Sequence, residues 1–258
     1  MTLIDSHAHY ENKQFNHDRH DLLASMPSKN VELVINVGCN LRDSISSIQL
    51  ADTYSHVYAT VGIHPHNAKT LTDVLLEQLI QLSAHNKVVA YGEIGLDFHY
   101  NFSSQDVQRY WFKQQLQAAY DIGLPVVIHS REANQEVYDI LASGSVHGGV
   151  VHSFSGDAHL AQAYVEMGLY IGVGGVVTFD KTGQLQAAVA AVPLDHILLE
   201  TDAPYLTPAP YRGKRNESHY LFHVAEAIAE IKGVTTEEVC NVTTQNTRKL
   251  FARTHSEA

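Results

Sequence analysis

The stretch that decides the fold is Val88-Val89-Ala90-Tyr91-Gly92-Glu93-Ile94, an apolar segment that carries one acidic residue. Its β-branched and aromatic residues are typical of a strand, and its nearly continuous apolar character indicates burial on both faces. Seven further short apolar segments recur along the chain, at residues 3–4, 31–37, 57–63, 125–128, 149–151, 169–173 and 197–199. Such segments predict a parallel sheet that is covered on both sides.

Helical patterns separate these predicted strands. Ser104 can cap a helix that Gly123 ends, and Thr235 with Glu238 fits the capping box of a last helix. Alternating strands and helices predict the α/β class, and eight repeats in 258 residues predict a TIM-type (β/α)8 barrel. We expect a single domain over residues 1–258. An open doubly wound sheet is the alternative, which the lack of a glycine-rich dinucleotide motif after the first strand disfavours.

Composition limits the partners that the protein can have. The formal net charge is −11 with histidine neutral, so any polyanion must bind locally, through a small basic patch or through bound cations. The two cysteines, Cys39 and Cys240, form neither a disulfide framework nor a zinc-finger pattern, which fits a reducing cytosol. We see no signal peptide and no bilayer-spanning segment. We therefore expect a cytoplasmic protein without a membrane partner, as a monomer or weak oligomer.

Polar residues that can bind metal or transfer protons close six of the eight predicted strands. About one His-x-His pair is expected by chance among 17 histidines, so the pair His7 and His9 gains weight only from its place after the first strand. The carboxyl ends of barrel strands meet on one face, where barrel active sites lie. The residues at these ends are His7 and His9, His64, Glu93, His129, His152, and Glu200 with Asp202.

This donor set predicts two metal ions. Histidine and carboxylate without thiolate suit zinc, manganese, magnesium or nickel. The donors outnumber the three protein ligands that are usual for one catalytic metal, so two ions sharing a bridging carboxylate are expected. The predicted ligands are His7, His9 and Asp202 for the first ion, His129 and His152 for the second, and Glu93 as the bridge.

Proton transfer and substrate contact involve three of these strand ends. Asp202 or Glu200 can accept a proton from the water that the ions activate, and both are predicted catalytic residues beside Glu93. His64 precedes Pro65 and is better placed to hydrogen-bond the substrate than to bind metal. Simpler interpretations stay open, since Asp202 or Glu200 could merely cap a turn and His152 could be a hydrogen-bonded core histidine.

A basic and aromatic segment follows the last of these residues. It contains Tyr205, Tyr211, Arg212, Lys214 and Arg215, and its three cations stand out in an acidic chain. The cations can bind phosphate oxygens and one of the tyrosines can stack on a base, although a solvated loop is an equal alternative. So small a patch could hold the end of a strand but not a long duplex, which favours exonuclease-like action.

The chain resembles the TatD family of metal-dependent deoxyribonucleases, within the amidohydrolase superfamily, on motifs that run in order from residue 4 to residue 251. The resemblance implies a barrel, a divalent-metal centre with the ligands above, cytoplasmic hydrolysis of DNA from the 3′ end, and His64 on the phosphate. It also implies that Glu93 replaces the carboxylated lysine of many relatives.

The chain departs from the family's pattern at Ala8 and Ser153, where Cys is frequent, and at Ser218, where Pro is common. The motifs are DSHAH (5–9), GIHPH (62–66), GEIGLDF (92–98), IHSR (128–131), HSFSG (152–156), ETDAPYL (200–206), YRGKRNE (211–217) and NTRKLF (246–251).

Three functional hypotheses follow. The first is a deoxyribonuclease acting on single-stranded DNA or on the 3′ end of a strand, which the residues at 205–215 favour. The second is a related barrel hydrolase that cleaves a small ester, lactone or amide. The third is a non-enzymatic metal or nucleic-acid binder, which the intact ring of ligands and candidate bases disfavours.

Overall fold

The computed structural model describes residues 1–255, so the last three residues of the predicted domain lie outside the described part. None of the helices within these residues has the length and apolarity needed to cross a membrane. The strands β1 to β8 are Leu3–Ala8, Val31–Asn36, Val57–Val61, Val88–Asp97, Val126–Arg131, Gly149–Val151, Tyr170–Val173 and Ile197–Leu199. The helices α1 to α9 found in residues 1–255 are Arg19–Ser25, Leu41–Thr53, Asp73–Ser83, Gln105–Asp121, Asn134–Ser143, Ala158–Glu166, Gln184–Ala191, Leu221–Lys232 and Thr236–Leu250.

The eight strands form one sheet in chain order, and each neighbouring pair is parallel. The segment after β8 returns to β1, where the His9 amide donates to the Ala203 carbonyl (2.8 Å) and the Asp202 amide donates to the His7 carbonyl (2.9 Å). This closure confirms the predicted (β/α)8 barrel and shows that the open-sheet alternative is wrong. Strand β1 pairs with β2 as far as Ala8, so His7 lies inside the strand and not after it.

The core has two parts, because successive side chains of a strand point to opposite faces. One buried cluster consists of strand residues such as Leu33 and Ile35, and Leu250 with Phe251 at the end of α9 joins it. Because its other members lie on the strands or directly beside them, this cluster occupies the barrel interior. The larger cluster joins the outer faces of the strands to the surrounding helices, with Phe112 of α4 as an example. Burying each such side chain contributes about 1.5–3 kcal/mol.

Helix boundaries largely follow the predicted signals. Thr235 precedes α9, and its hydroxyl accepts the Glu238 amide at 3.1 Å, as the capping box predicts. Ser104 does precede α4, but its side chain makes no capping hydrogen bond, so that part of the prediction is wrong. The helix ends at Asp121, just before Gly123, whose φ of +71° suits glycine.

Strand β4 continues to Asp97, three residues beyond the predicted segment. Gly95 allows this, since a Cβ at that position would lie 1.9 Å from the His129 carbonyl oxygen, and its φ is +149°. The close approach of β4 to β5 brings Glu93 beside His129, which positions the centre described next.

Candidate metal centre

A cavity of about 750 Å³ opens at the carboxyl ends of the strands. His7 does not line the cavity but lies buried beneath it, with its ring stacked on that of His152 (centroids 3.8 Å apart). Residues remote in sequence are thus brought to one site, as predicted from the strand ends. The predicted residues that line the cavity are His9, His64, Glu93, His129, His152, Asp202 and Tyr205.

Three of the predicted ligands form one group. The Nε2 atoms of His7 and His9 are 3.1 Å apart. Asp202 Oδ1 lies 3.3 Å from His9 Nε2 and 3.8 Å from His7 Nε2. Two nitrogens that bind one tetrahedral ion at about 2.05 Å would be about 3.3 Å apart. The spacing in this group therefore fits a single divalent ion.

The second group has a similar spacing. His129 Nδ1 and His152 Nε2 are 3.3 Å apart, and Glu93 Oε1 is 2.8 Å from each of them. The other oxygen of the same carboxylate, Oε2, is 3.6 Å from His7 Nε2 and 4.0 Å from His9 Nε2. The two oxygens of Glu93 thus face different histidine pairs.

Hydrogen bonds hold two of these rings in a ligand-ready tautomer. His9 Nδ1 lies 3.1 Å from the Val37 carbonyl, and His129 Nε2 lies 3.2 Å from Asp97 Oδ2. Because these partners accept, the protons reside on those nitrogens and leave lone pairs on His9 Nε2 and His129 Nδ1. The buried Nδ1 atoms of His7 and His152 have no hydrogen-bond partner within residues 1–255. The donor set and its geometry fit divalent ions.

Electrostatics favour the ionised form of the central carboxylate. Burial raises the pKa of Glu93, but the imidazoles of His152 and His64 outweigh that effect and hold the pKa well below its usual range. Burial and the neighbouring His152 hold the pKa of His7 well below its ordinary value. Burial also lowers the pKa of the other three predicted histidine ligands, but neighbouring acidic groups outweigh burial and raise the pKa of His9, His129 and His152. Metal binding at those rings therefore displaces protons, because neutral imidazole and ionised carboxylate are the forms that bind metal.

His64 presents a donor, not a lone pair, to the cavity. Its Nδ1 accepts the His66 amide at 3.1 Å, so its proton resides on Nε2. That Nε2 faces the cavity, 3.6 Å from Glu93 Oε1. Burial lowers the pKa of His64, which favours the neutral ring. The arrangement agrees with the predicted contact to a substrate oxygen.

The two candidate proton acceptors occupy different places. Asp202 lines the cavity, whereas Glu200 is buried behind His152, with Oε1 3.6 Å from His152 Nδ1 and 2.5 Å from the Ser153 amide. Gly172 makes room for it, since a Cβ there would lie 2.2 Å from Glu200 Oε2. Burial raises the pKa of Glu200. Of the two, Asp202 alone faces the space where a substrate can bind.

Tyr205 and Arg212, both from the predicted substrate segment, lie in different places relative to the cavity. Tyr205 is half-exposed on the cavity wall, where its hydroxyl accepts from Asn12 Nδ2 at 2.9 Å. Arg212 instead donates to the Thr207 carbonyl at 2.9 Å and lies 3.8 Å above the Phe179 ring. The structure therefore brings Tyr205 to the site but directs Arg212 to its own loop.

Lys214 and Arg215 are also outside the cavity lining. Lys214 Nζ is 5.2 Å from the centroid of the Tyr211 ring. Arg215 pairs with Asp18 (2.6 Å) and Glu217 (2.7 Å). Neighbouring groups on the same loop and near the N-terminus thus engage these cations, and their predicted phosphate contacts stay a prediction.

Sequence reasoning missed Asp97, which is fully buried at the end of β4. Its Oδ2 accepts from His66 Nε2 (2.8 Å) and faces His129 Nε2 (3.2 Å). Its Oδ1 accepts the amides of His99 and Tyr100, both at 3.0 Å. Burial raises the pKa of Asp97, but these donors lower it below its usual range. Asp97 therefore orients the ring of a predicted ligand.

A signal for this residue exists in the sequence. Asp97 is four residues after Glu93, and Arg131 is two after His129, so each shares a strand face with a predicted ligand. Both also lie in motifs that carry the family resemblance, GEIGLDF and IHSR.

Ser218, where the family commonly has Pro, ties the substrate segment to β1. Its amide donates to the Tyr10 hydroxyl (2.9 Å), which a proline could not do, and its Oγ donates to Asp5 Oδ2 (2.6 Å). Asp5 also accepts the Thr201 amide (3.0 Å) and hydroxyl (2.6 Å). Burial raises the pKa of Asp5 to about 6. This buried network braces the loop that carries Asp202.

A closed parallel barrel with a histidine–carboxylate centre at its carboxyl end defines the class of metal-dependent barrel hydrolases. Comparisons with known proteins agree with that class. A family model described as TatD related DNase matches residues 4–252. The uncharacterized metal-dependent hydrolase YabD of Bacillus subtilis is 39% identical over 251 residues, 96% of this chain and 98% of that protein.

Two further relatives extend the match. The 3′-5′ ssDNA/RNA exonuclease TatD of Salmonella typhimurium is 35% identical over 257 residues, 96% of this chain and 98% of that protein. The crystal structure of YjjV, a TatD homolog from Escherichia coli K12, gives a TM-score of 0.91 at 31% identity and covers 97% and 98% of the two chains. The chain belongs to the TatD related DNase family and is a hydrolytic enzyme.

Proposed function

We propose that the protein shortens single-stranded nucleic acid from its 3′ end by hydrolysing phosphodiester bonds with two divalent ions. The name of the Salmonella relative, a 3′-5′ ssDNA/RNA exonuclease, supports the substrate class. The observation that carries the proposal is Glu93, whose Oε1 is 2.8 Å from two histidine nitrogens while its Oε2 faces the other pair. A carboxylate so placed suits a bridge between two ions.

The ligand sets follow from the two groups. His7, His9 and Asp202 would hold one ion, His129 and His152 the other, and Glu93 both. Such ions, when bound, polarise phosphoryl oxygens and lower the pKa of water. Zinc, manganese, magnesium and nickel all stay candidates, and the number of ions is part of the proposal.

The chain's own groups supply the remaining chemistry. The Nε2–H group of His64 donates a hydrogen bond to a phosphoryl oxygen, which orients the scissile group. Asp202, at the open side of the cavity, accepts a proton from the attacking water as the water oxygen bonds to phosphorus. The bond from phosphorus to the sugar oxygen breaks, and that leaving oxygen takes up a proton from solvent. Glu200 lies buried behind His152, at an ion-pair distance of 3.6 Å from its Nδ1, and this placement favours its predicted role as a base less.

The proposed location is the cytoplasm. Cys39 and Cys240 are free thiols. Burial raises the pKa of Cys39 to about 12, so its thiol stays protonated beside the histidines. A protein that keeps an unpaired thiol next to its active centre suits a reducing compartment.

The test uses a single-stranded oligonucleotide labelled at its 5′ end and a panel of divalent ions. We expect stepwise shortening from the 3′ end, and Glu93→Gln should lower kcat by about a hundredfold or more because the bridging charge is lost. Glu77→Gln, an exposed residue of α3, is the matched control. No nucleotide release with any ion, together with turnover of a carboxylic ester, would overturn the proposal. A Glu93→Gln enzyme with full activity and full metal content would overturn the bridging role alone.

A further inference from the structure

An aromatic and cationic rim borders the cavity on the side of β4 and β5. It consists of Tyr100, in the loop after β4, and Arg131, the last residue of β5, which both line the cavity, and of Phe102, which packs on Tyr100 outside the lining. Tyr100 is 48% exposed and Phe102 is 54% exposed. Their rings are parallel within 2°, with centroids 5.4 Å apart, and the Arg131 guanidinium lies 4.7 Å over the Tyr100 ring. Three flat groups are thus stacked at the edge of the site.

A hydrogen bond and ring contacts connect the rim to the candidate centre. The Tyr100 amide donates to Asp97, the carboxylate that also orients His129. The His66 ring, hydrogen-bonded to Asp97, meets Tyr100 and Phe102 edge-on, with centroids 5.5 and 4.9 Å away. A ligand on the rim is therefore placed next to the ions' proposed position.

Arg131 is available to an anion. Among the described residues that line the cavity, it is the one arginine or lysine. Arg109 and Arg215 are held by carboxylates, whereas Arg131 has no ion-pair partner in the described part of the chain. A guanidinium in this setting binds phosphate oxygens well.

We propose that Tyr100, Phe102 and Arg131 form a nucleotide subsite, in which one unpaired base stacks on the aromatic pair and Arg131 contacts a phosphate beside the scissile one. The inference rests on the proposed nuclease function. Stacking requires an exposed base face, so the subsite takes single-stranded ends and tolerates any base. It also provides the phosphate contact that Arg212, Lys214 and Arg215 were predicted to make.

The experiment combines changes in the enzyme with changes in the substrate. Single abasic positions are placed in turn at each of the last few nucleotides of the oligonucleotide, and kcat and KM are measured with the most active ion. For the wild type, one abasic position should lower kcat/KM by about 5- to 150-fold, the loss of one stacked base. In Phe102→Ala and Tyr100→Ala that penalty should shrink to about twofold or less, because the platform is gone.

Three further variants separate stacking from apolar contact alone and from charge. Phe102→Leu keeps an apolar side chain without a plane and should also lose the penalty, whereas Phe102→Trp should keep it. Arg131→Ala should reduce the slope of log(kcat/KM) against log[salt] by about 0.7, the value for one phosphate contact on a single strand. Tyr110→Ala and Lys113→Ala, on the outer face of α4, are the controls and should behave as the wild type.

The outcomes distinguish this inference from the function on which it rests. An abasic penalty that persists in Phe102→Ala and Tyr100→Ala, or that is missing from the wild type, overturns the subsite and leaves the nuclease assignment intact. A wild type that cleaves none of the oligonucleotides, intact or abasic, overturns both the subsite and the nuclease assignment.

Discussion

Replacing Asp97 by Asn tests whether a buried carboxylate sets the metal affinity of the centre. Asn keeps the shape of Asp and one acceptor oxygen, which can still receive the amides of His99 and Tyr100. Its NH₂ group then faces His129 Nε2 and His66 Nε2, which now face Asp97 Oδ2 at 3.2 and 2.8 Å. In Asp97→Asn the NH₂ donor would therefore face the N–H donors of the two imidazoles, whereas in the wild type those N–H groups face a carboxylate acceptor.

The ring of His129 can relieve this conflict by moving its proton to Nδ1. That atom is the one that faces Glu93 Oε1 at 2.8 Å, so the lone pair proposed to bind metal would be blocked. Loss of a carboxylate behind a ligating histidine lowers metal affinity about 10- to 100-fold, or about 1.4–2.7 kcal/mol. One charge-assisted hydrogen bond is worth about 1.5–3 kcal/mol, a similar figure.

The assay is competition for metal between the protein and a chelator of known affinity, with urea unfolding of the metal-free protein measured in parallel. Glu132→Gln is the matched control, because Glu132 forms the same kind of carboxylate–imidazole pair with His99 (2.6 Å) but is exposed at the surface. The reasoning is refuted if Asp97→Asn binds metal within about twofold of the wild type while Glu132→Gln does the same.

Three more predictions concern the ligand groups, the pH dependence and the buried network. The double variant His7→Ala, His9→Ala should lose one metal per chain and keep the other by elemental analysis; retention of both would contradict the division of ligands. Burial lowers the pKa of His56 from its ordinary 6.5, so the unfolded chain binds more protons and stability falls as pH drops below about 6.5. When urea unfolding is measured at several pH values, His56→Gln should reduce this pH dependence of the free energy of unfolding. His17→Gln, an exposed control, should leave it unchanged. Ser218→Ala keeps the amide bond to Tyr10 but removes the hydroxyl that donates to Asp5 Oδ2 (2.6 Å) and pairs with the Tyr10 hydroxyl (2.7 Å). It should cost about 1–3 kcal/mol in urea unfolding, against less than about 0.5 for the exposed Ser28→Ala; equal effects would mean that the network adds nothing.

The fold could be predicted because its signals are local. Each apolar run, such as 88–94, shows strand and burial in its own few residues, and the helix between Ser104 and Gly123 has its start and stop beside it. The ends of the strands were predicted less accurately. Strand β4 reaches Asp97 because Gly95 lets it pair with β5, and that pairing joins segments more than thirty residues apart.

The sequence by itself determined which residues gather at the centre, since parallel barrel topology sends every strand's carboxyl end to one face. Barrel topology alone was enough to predict that four of these residues meet there, namely His9, Glu93, His129 and Asp202. Only the tertiary structure decided what each group contacts there. Arg215 pairs with Asp18, 197 positions away, while Arg131 is left beside the cavity. Hydrogen bonds and ion pairs act over a few ångströms, and side chains reach that range only after distant segments have packed.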